Sequence, residues 1–161
     1  QVVISKWGNP SKFEYILFLD SAGKVNWGVD QSVNVVVLPS TATLSAGSVY
    51  HVVCWHDAVN NQLGLVVNNG TPDLLAYSAG VDLEPTVPVV IGRNAGNDPA
   101  DGYYDGQMRR VRFWRRVLTG AEISYLHNGG TGRDYAALDV VVTGPRISMK
   151  ALGLRYGFRP R

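Results

Sequence analysis

The sequence predicts an all-β protein, a two-sheet antiparallel jelly-roll sandwich with one short helix. Short alternating apolar segments recur along the chain, and turn-forming Gly, Asn, Asp and Ser separate them at intervals of roughly 10 to 15 residues. Eighteen glycines and eight prolines suit many such turns. Long runs of helix-forming residues are missing, which argues against a helical bundle. Parallel strands would require crossover helices, so an antiparallel arrangement is favoured.

The strand-like segments can be placed in order. The predicted strands are Val2–Lys6, Phe13–Asp20, Lys24–Val29, Val33–Leu38, Tyr50–Asp57, Gln62–Asn68, Leu74–Ser78, Pro88–Arg93, Gly102–Arg115 and Leu138–Thr143. A single helix is predicted over Ala121–His127. Thr119 is a suitable N-cap for it, and Glu122, three residues later, completes a capping box.

A basic run, Arg-Arg-Val-Arg-Phe-Trp-Arg-Arg, lies within the predicted strand Gly102–Arg115. Strand alternation predicts that Val111 and Phe113 face the core while Arg110 and Arg112 face solvent. Alternation also divides the arginines between two faces, and no nucleic-acid-binding motif accompanies them. A nucleic-acid groove is therefore disfavoured.

Composition points to one compact domain. A chain of 161 residues can bury a sizeable core, and its 45% hydrophobic and 17% charged residues exclude a disordered chain. No apolar run is long enough to span a bilayer. Cys54 is the only cysteine, so it cannot form an internal disulfide, and we interpret it as a small buried residue of a strand.

Charge is distributed unevenly along the chain. The formal net charge is +2, but residues 144–161 hold five cations and no acid, which leaves −3 on the rest. We therefore predict a sandwich domain over residues 1–143 and a basic C-terminal arm or extra strand over residues 144–161. Such an arm would dock an acidic partner, for example another subunit of a larger assembly. The alternative is a terminal strand with outward-pointing arginines.

Catalytic patterns are missing from the sequence. Glycosidases of sandwich folds use paired carboxylates in a Glu-x-Asp-x-Glu run, and no such run occurs, since Glu84 has a single acid, Asp82, two residues away and Glu14 and Glu122 have none. Metal-ligand spacings, nucleophile motifs and phosphate-binding glycine loops do not occur either. We expect a protein that is not an enzyme.

The polar connection Asn94–Tyr104 is the strongest candidate for a binding surface, because loops on a rigid sheet commonly carry recognition. It concentrates amides, carboxylates and aromatic side chains suited to sugars or protein surfaces. Trp7 and Trp27 are further aromatic candidates for sugar binding, with core or sheet-surface packing as the alternative. Asp98 and Asp101 are the candidate ligands for calcium, which prefers oxygen donors. A solvated turn would explain the same composition without a metal. The predicted ligand-binding residues are Asn97, Asp98, Asp101, Tyr103 and Tyr104.

Short motifs follow one another in a specific order from residue 2 to residue 130. They are Ile4-Ser5-Lys6, Tyr50-His51, Val66-Val67-Asn68, Ile91-Gly92, Gly106 with Val111-Arg112-Phe113-Trp114, and Leu118-Thr119 with Glu122-Ile123. In this order they resemble the laminin G-type (LamG, pentraxin-like) domains of the concanavalin A-like lectin/glucanase superfamily. The resemblance implies a jelly-roll sandwich that binds ligands at its surface, with calcium often held at the rim.

The chain departs from the family pattern at two points. Arg109 and Arg110 stand where the family has an acidic pair, and the family's first strands do not precede Val3. We expect a mature chain or a piece of a larger polypeptide whose missing strands are supplied from another source.

Two functions are consistent with these features. The first is a non-catalytic recognition or adhesion module that binds glycan or protein through rim loops. The second is a structural domain of an extracellular or virion assembly, such as a decoration, fibre or spike protein. Both imply an extracellular, cell-surface or virion location, and glycoside hydrolysis is the least favoured activity.

Overall fold

The computed structural model describes residues 1–8, 12–31, 34–78, 80–94 and 102–134 of the chain. These residues form eight strands and one α-helix followed by a 3₁₀ turn. In chain order the elements are β1 (Val2–Gly8), β2 (Lys12–Leu19), β3 (Lys24–Asp30), β4 (Val35–Thr43), β5 (Val52–Asp57), β6 (Gln62–Val67), β7 (Asp73–Ala76), β8 (Val90–Ile91), α1 (Gly120–His127) and the 3₁₀ turn (Asn128–Gly130).

The strands form two antiparallel sheets. The larger sheet has the order β4-β3-β2-β1-β8, and the smaller sheet has the order β5-β6-β7. Strands β3 and β4 of the larger sheet contact β6 and β7 of the smaller one. The predicted all-β, two-sheet antiparallel sandwich with one short helix is thus confirmed.

The core lies between the two sheets and is built from alternate residues of the facing strands. Trp27 is part of this core, and its indole Nε1 donates a hydrogen bond of 3.0 Å to the backbone oxygen of Trp55 in β5. This bond satisfies the one polar atom of a buried indole and links the two layers. The buried core residues are Leu17, Val25, Trp27, Val29, Leu38, Leu63, Leu65 and Val67.

One side of the sandwich is closed by polar contacts between the sheets. The backbone nitrogen of Thr41 in β4 donates to Asp73 Oδ2 of β7 at 2.8 Å, and the Thr41 hydroxyl donates to Asp73 Oδ1 at 2.5 Å. Because these strands are edges of different sheets, the two bonds fix how the layers meet on this side.

Helix α1 begins as the sequence predicts. The Thr119 side chain accepts a hydrogen bond from the Glu122 backbone nitrogen, while the Glu122 carboxylate accepts from the Thr119 backbone nitrogen at 2.9 Å. Arg116 also binds this carboxylate through two nitrogens, at 2.5 and 2.8 Å. The Arg116 guanidinium, together with the Thr119 backbone, lowers the pKa of Glu122 to about 2. The capping box is therefore complete and ionised at neutral pH.

The predicted strand Gly102–Arg115 is wrong, because residues 102–115 have no strand pairing in the part of the chain that the structure describes. Val111 and Phe113 are exposed rather than buried, and Arg112 is half-buried rather than exposed. Alternation buries one face only when a strand is paired over a core. Instead Arg110 adopts φ 57°, which interrupts an extended run, and it binds Asp134 at 2.8 Å.

Other predicted strands keep their place but change in length. The strand predicted over Pro88–Arg93 contracts to Val90–Ile91, which pairs with β1. The strand predicted over Val33–Leu38 instead runs from Val35 to Thr43. The predicted strand Leu138–Thr143 and the basic arm 144–161 lie outside the described residues.

Candidate functional site

A groove of about 380 Å³ lies on the larger sheet, on the face turned away from the core. Alternation along β2 produces it, because Leu17 points into the core while its neighbours Ile16 and Phe18 point into the groove. Gly28 of β3 lies beneath. A Cβ built there would be 3.2 Å from Ile16 Cγ2 and 3.4 Å from Val37 Cγ2. The lining residues are Val2, Trp7, Gly8, Phe13, Ile16, Phe18, Val35, Val37 and Asn94.

An aromatic pair forms one end of the groove. The rings of Trp7 and Phe13 are stacked, with centroids 4.3 Å apart and planes inclined by 23°. Their position depends on a register irregularity between β1 and β2, in which Lys6 opposes Tyr15 but Trp7 opposes Phe13. The extra residue in β2 brings Phe13 to the groove face with Ile16, although regular alternation would place it on the core face.

The two described ends of the predicted binding loop both lie at this groove. Asn94 is buried and lines it. At the other end, the Gly102 backbone oxygen accepts a hydrogen bond of 3.0 Å from the nitrogen of Val2, another lining residue. The Tyr104 nitrogen donates to Gly92 oxygen at 2.9 Å, which ties the same end to the end of β8. The backbone therefore anchors the loop beside the groove at both ends.

The structure describes two of the five residues predicted to bind ligand. Tyr103 is 67% exposed. Tyr104 is half-buried, with its ring against Gly106, where an added Cβ would be 2.8 Å from Tyr104 Cε1. Asn97, Asp98 and Asp101 lie outside the described residues, so calcium binding by Asp98 and Asp101 stays a prediction. Among the described residues, no group of three or more His, Cys, Asp or Glu side chains could hold a metal ion.

The ionisable groups near the groove are engaged in structural contacts. Lys6 and Glu14 form an ion pair beside the Trp7–Phe13 stack, and both side chains are largely buried. The same Glu14 oxygen accepts a hydrogen bond of 3.0 Å from the backbone nitrogen of Glu84. Glu14 thereby ties β2 to the segment that leads into β8. An apolar groove with stacked aromatic rings and fixed charges is suited to binding a flat, largely uncharged surface.

The remaining chemically active side chains are also held in structural environments. Burial raises the pKa of the Cys54 thiol to about 12, so it stays protonated and unreactive at neutral pH. His56 Nε2 shares a hydrogen bond with the Tyr77 hydroxyl, and burial lowers the pKa of His56. Neither group reaches the groove.

The fold defines a class of protein, namely two-sheet antiparallel β-sandwich domains. The sequence comparison agrees with the geometry. The chain belongs to the concanavalin A-like lectin/glucanases superfamily, since the laminin G-type family profile matches residues 1–124. No curated protein and no solved structure matches the chain. Laminin G-like domains are generally non-catalytic, whereas the superfamily also contains glycosidases.

Sequence reasoning selected Trp7 and the loop that starts at Asn94 but missed most of the groove. Phe13, Ile16 and Phe18 were assigned only to a strand. A signal was present, since β2 reads Lys-Phe-Glu-Tyr-Ile-Leu-Phe-Leu and is apolar on both faces from Tyr15 to Leu19. A strand whose two faces are both apolar is expected to be covered on both sides or to expose a binding surface.

Proposed function

We propose that this domain is a non-catalytic recognition module that binds a glycan or a protein surface in the groove of the larger sheet. The observation that carries the proposal is the stacked Trp7–Phe13 pair at a groove whose rim holds both ends of the Asn94–Tyr104 loop. Sugar rings have apolar faces edged with hydroxyls, so an aromatic platform beside amide and carboxylate groups suits them. An extracellular or cell-surface location belongs to the same proposal.

Calcium at the loop is a further part of the proposal. Asp98 and Asp101 would supply carboxylate oxygens, with Asn97 beside them. Bound calcium would order the rim next to Asn94 and orient Tyr103 or Tyr104 towards a ligand. Because the metal would bind the folded domain alone, it would also raise the melting temperature.

A glycan microarray, read with calcium and again with a chelator, tests this function. Trp7→Ala should weaken binding to the selected glycans at least about tenfold, because it removes the platform. Trp114→Ala is the matched control, since it removes the same side chain from a site outside the groove. The combined Asp98→Ala, Asp101→Ala, Tyr103→Ala and Tyr104→Ala variant tests the loop.

The outcomes separate the parts of this proposal. Binding that survives Trp7→Ala but is lost in the loop variant would place recognition on the loop alone. Two results together would contradict the recognition proposal. The folded domain would bind no glycan, and both variants would capture a protein partner equally well.

The second candidate, a structural domain of an extracellular or virion assembly, is favoured by a different observation. Val111, Phe113 and Trp114 are exposed together outside the groove. Exposed apolar clusters on folded domains commonly mark contacts with other chains.

A further inference from the structure

Strand β5 is an edge of the smaller sheet. It pairs with β6 on one side, and in the described part of the chain no strand pairs with its other side. The Asn68 nitrogen donates to His51 oxygen at 2.8 Å, which sets the alternation of hydrogen-bonded pairs between these strands. The backbone N–H and C=O groups of Val52, Cys54 and His56 therefore point away from β6. An edge of this kind is a template for a further strand.

The two layers are unequal on this side of the sandwich. Among the described residues, β4 contacts β6 and β7 of the smaller sheet, and β3 contacts β6. On the opposite side, Thr41 and Asp73 join the layers by hydrogen bonds. In this stacking order, continuing the smaller sheet past β5 would extend it towards the β1 and β8 side of the larger sheet.

The chain places an exposed apolar strip close to this edge. Val111 is 39% exposed, Phe113 62% and Trp114 37%, which is unusual for three large apolar side chains within four residues. Arg112, between them, donates a hydrogen bond to the Arg133 backbone oxygen, and Arg133 Nε donates to the Tyr125 oxygen of α1 at 2.9 Å. His127 of the same helix has its ring 5.8 Å from that of His51, the residue before β5. The strip is therefore connected through α1 to the first residues of the free edge.

Charge indicates what would cover this surface. Residues 102–134 carry six cations and three anions, whereas residues 1–94 carry four cations and seven anions. Arg110 and Arg116 are paired with Asp134 and Glu122. Arg109 and Arg115 are exposed and form no ion pair within the described residues. A partner that covers the strip therefore meets apolar side chains flanked by unpaired positive charge.

We propose that the free edge of β5 and the strip from Arg109 to Arg115 together form a strand-docking site for an extended segment of another protein. That segment alternates apolar residues with Asp or Glu. Its backbone pairs with Val52, Cys54 and His56, its apolar side chains cover Val111, Phe113 and Trp114, and its acids meet Arg109 and Arg115. Main-chain pairing supplies affinity and alternate side chains supply specificity in this mode of binding. The proposal does not rest on the groove, which lies on the other sheet.

The test uses short synthetic peptides that alternate glutamate with valine and phenylalanine, in several permutations, added to the full 161-residue chain. Binding is measured by fluorescence anisotropy, and amide hydrogen exchange is followed by NMR. The amides of Val52, Cys54 and His56 should become protected, while those of Val53 and Trp55, already bonded to β6, should change little. Three matched control peptides are used. The first has two prolines at positions that would pair with β5, the second has its acidic and apolar residues in separate blocks, and the third has lysine in place of glutamate.

All three matched peptides should bind about tenfold or more weakly, because each removes pairing, alternation or charge complementarity. Arg109→Glu with Arg115→Glu should have a similar effect. Lys24→Glu with Arg93→Glu, which makes the same change of charge on the larger sheet, should not. Circular dichroism checks that both variants fold.

Five results would overturn the proposal. The first is that no alternating acidic peptide binds, and the second is that the β5 amides gain no protection when such a peptide binds. Equal binding of the proline peptide, or of heparin and single-stranded DNA without protection of β5, would indicate a general polyanion patch. Protection of β5 that rises with protein concentration alone would show that a second copy occupies the edge.

Discussion

At the residue scale, His51 is a titratable side chain that is partly buried beside α1. Its ring lies 5.8 Å from that of His127 on α1, and its Nδ1 is buried without a hydrogen-bond partner among the described residues. Burial lowers the pKa of His51 from its ordinary value of 6.5, and His127 and Arg112 lower it further. Protonation would place a cation among other cationic groups where no acceptor is available.

This arrangement predicts that stability falls with pH in the mildly acidic range. The unfolded chain takes up a proton on His51 near 6.5, whereas the folded chain does so only at lower pH. The free energy of unfolding should therefore decrease as the pH falls from about 7 to about 5.5, while carboxylates remain ionised. Urea titrations at several pH values measure the slope.

His51→Gln should reduce that slope because it removes the titrating group. His56 shifts in the same direction, so His56→Gln should reduce it as well, and the double variant should be nearly flat. A wild-type slope of opposite sign would contradict the assignment.

At the element scale, α1 shows how a short helix is held by its ends. It has only eight residues, too few to be stable alone, and buries Ile123 and Leu126. Thr119 and Glu122 satisfy its first turn, and Asn128 ends it in the left-handed conformation at φ 48°. Asn69, in the turn after β6, reaches Ser124 at 3.4 Å and links the helix to the smaller sheet.

Thr119→Ala is expected to destabilise the protein by about 1 kcal/mol, the usual cost of losing an N-cap side chain. Thr71→Ala is the matched control, since Thr71 is exposed and makes no hydrogen bond within the described residues. Urea unfolding gives the stability, and hydrogen exchange in α1 shows where it is lost. Equal stability of the two variants would mean that tertiary packing, rather than the cap, holds the helix.

Element boundaries also show why part of the fold escaped prediction. Strands β3 and β6 pair on both sides, and their apolar alternation identified them correctly. The segment Gly102–Arg115 has equally strong alternation but no strand beside it in the described chain. Pairing depends on a neighbouring strand. Alternation could therefore predict that Val111 and Phe113 are able to be buried together, but not that they are buried.

At the scale of the whole molecule, the layer between the two sheets holds the sandwich together. Leu63 and Leu65 of β6 have no exposed surface, and β6 lies in the middle of the smaller sheet. These residues face Trp27, Val29 and neighbouring core residues of the larger sheet. The central strand of the smaller sheet therefore contributes most of that sheet's share of the core.

Leu65→Ala should cost about 2–5 kcal/mol in the free energy of unfolding, because it removes buried methyl groups and leaves a cavity. Leu83→Ala makes the same substitution at a residue that is 81% exposed, and should change stability by no more than about 0.5 kcal/mol. Chemical denaturation of the three proteins measures both effects. Similar losses in both variants would contradict the assignment of the core.

Part of the candidate site could be predicted from the sequence, and the other part depends on the tertiary structure. Trp7 and the ends of the Asn94–Tyr104 loop were selected from residue type alone, because aromatic and polar side chains at turns suit recognition. Phe13 could not be selected, since its place in the groove depends on the irregular pairing of Lys6 and Trp7 with β2. No helix among the described residues is long and apolar enough to cross a bilayer.

The sequence by itself determined the fold class, the family and the capped helix. These follow from local information: the alternation of apolar residues, the turn residues between strands, and the spacing of Thr119 and Glu122. The tertiary structure decided which faces are covered, because burial depends on what lies opposite. It placed Ile16, Phe18 and Phe13 around an open groove, left Phe113 exposed, and left one edge of β5 without a paired strand among the described residues.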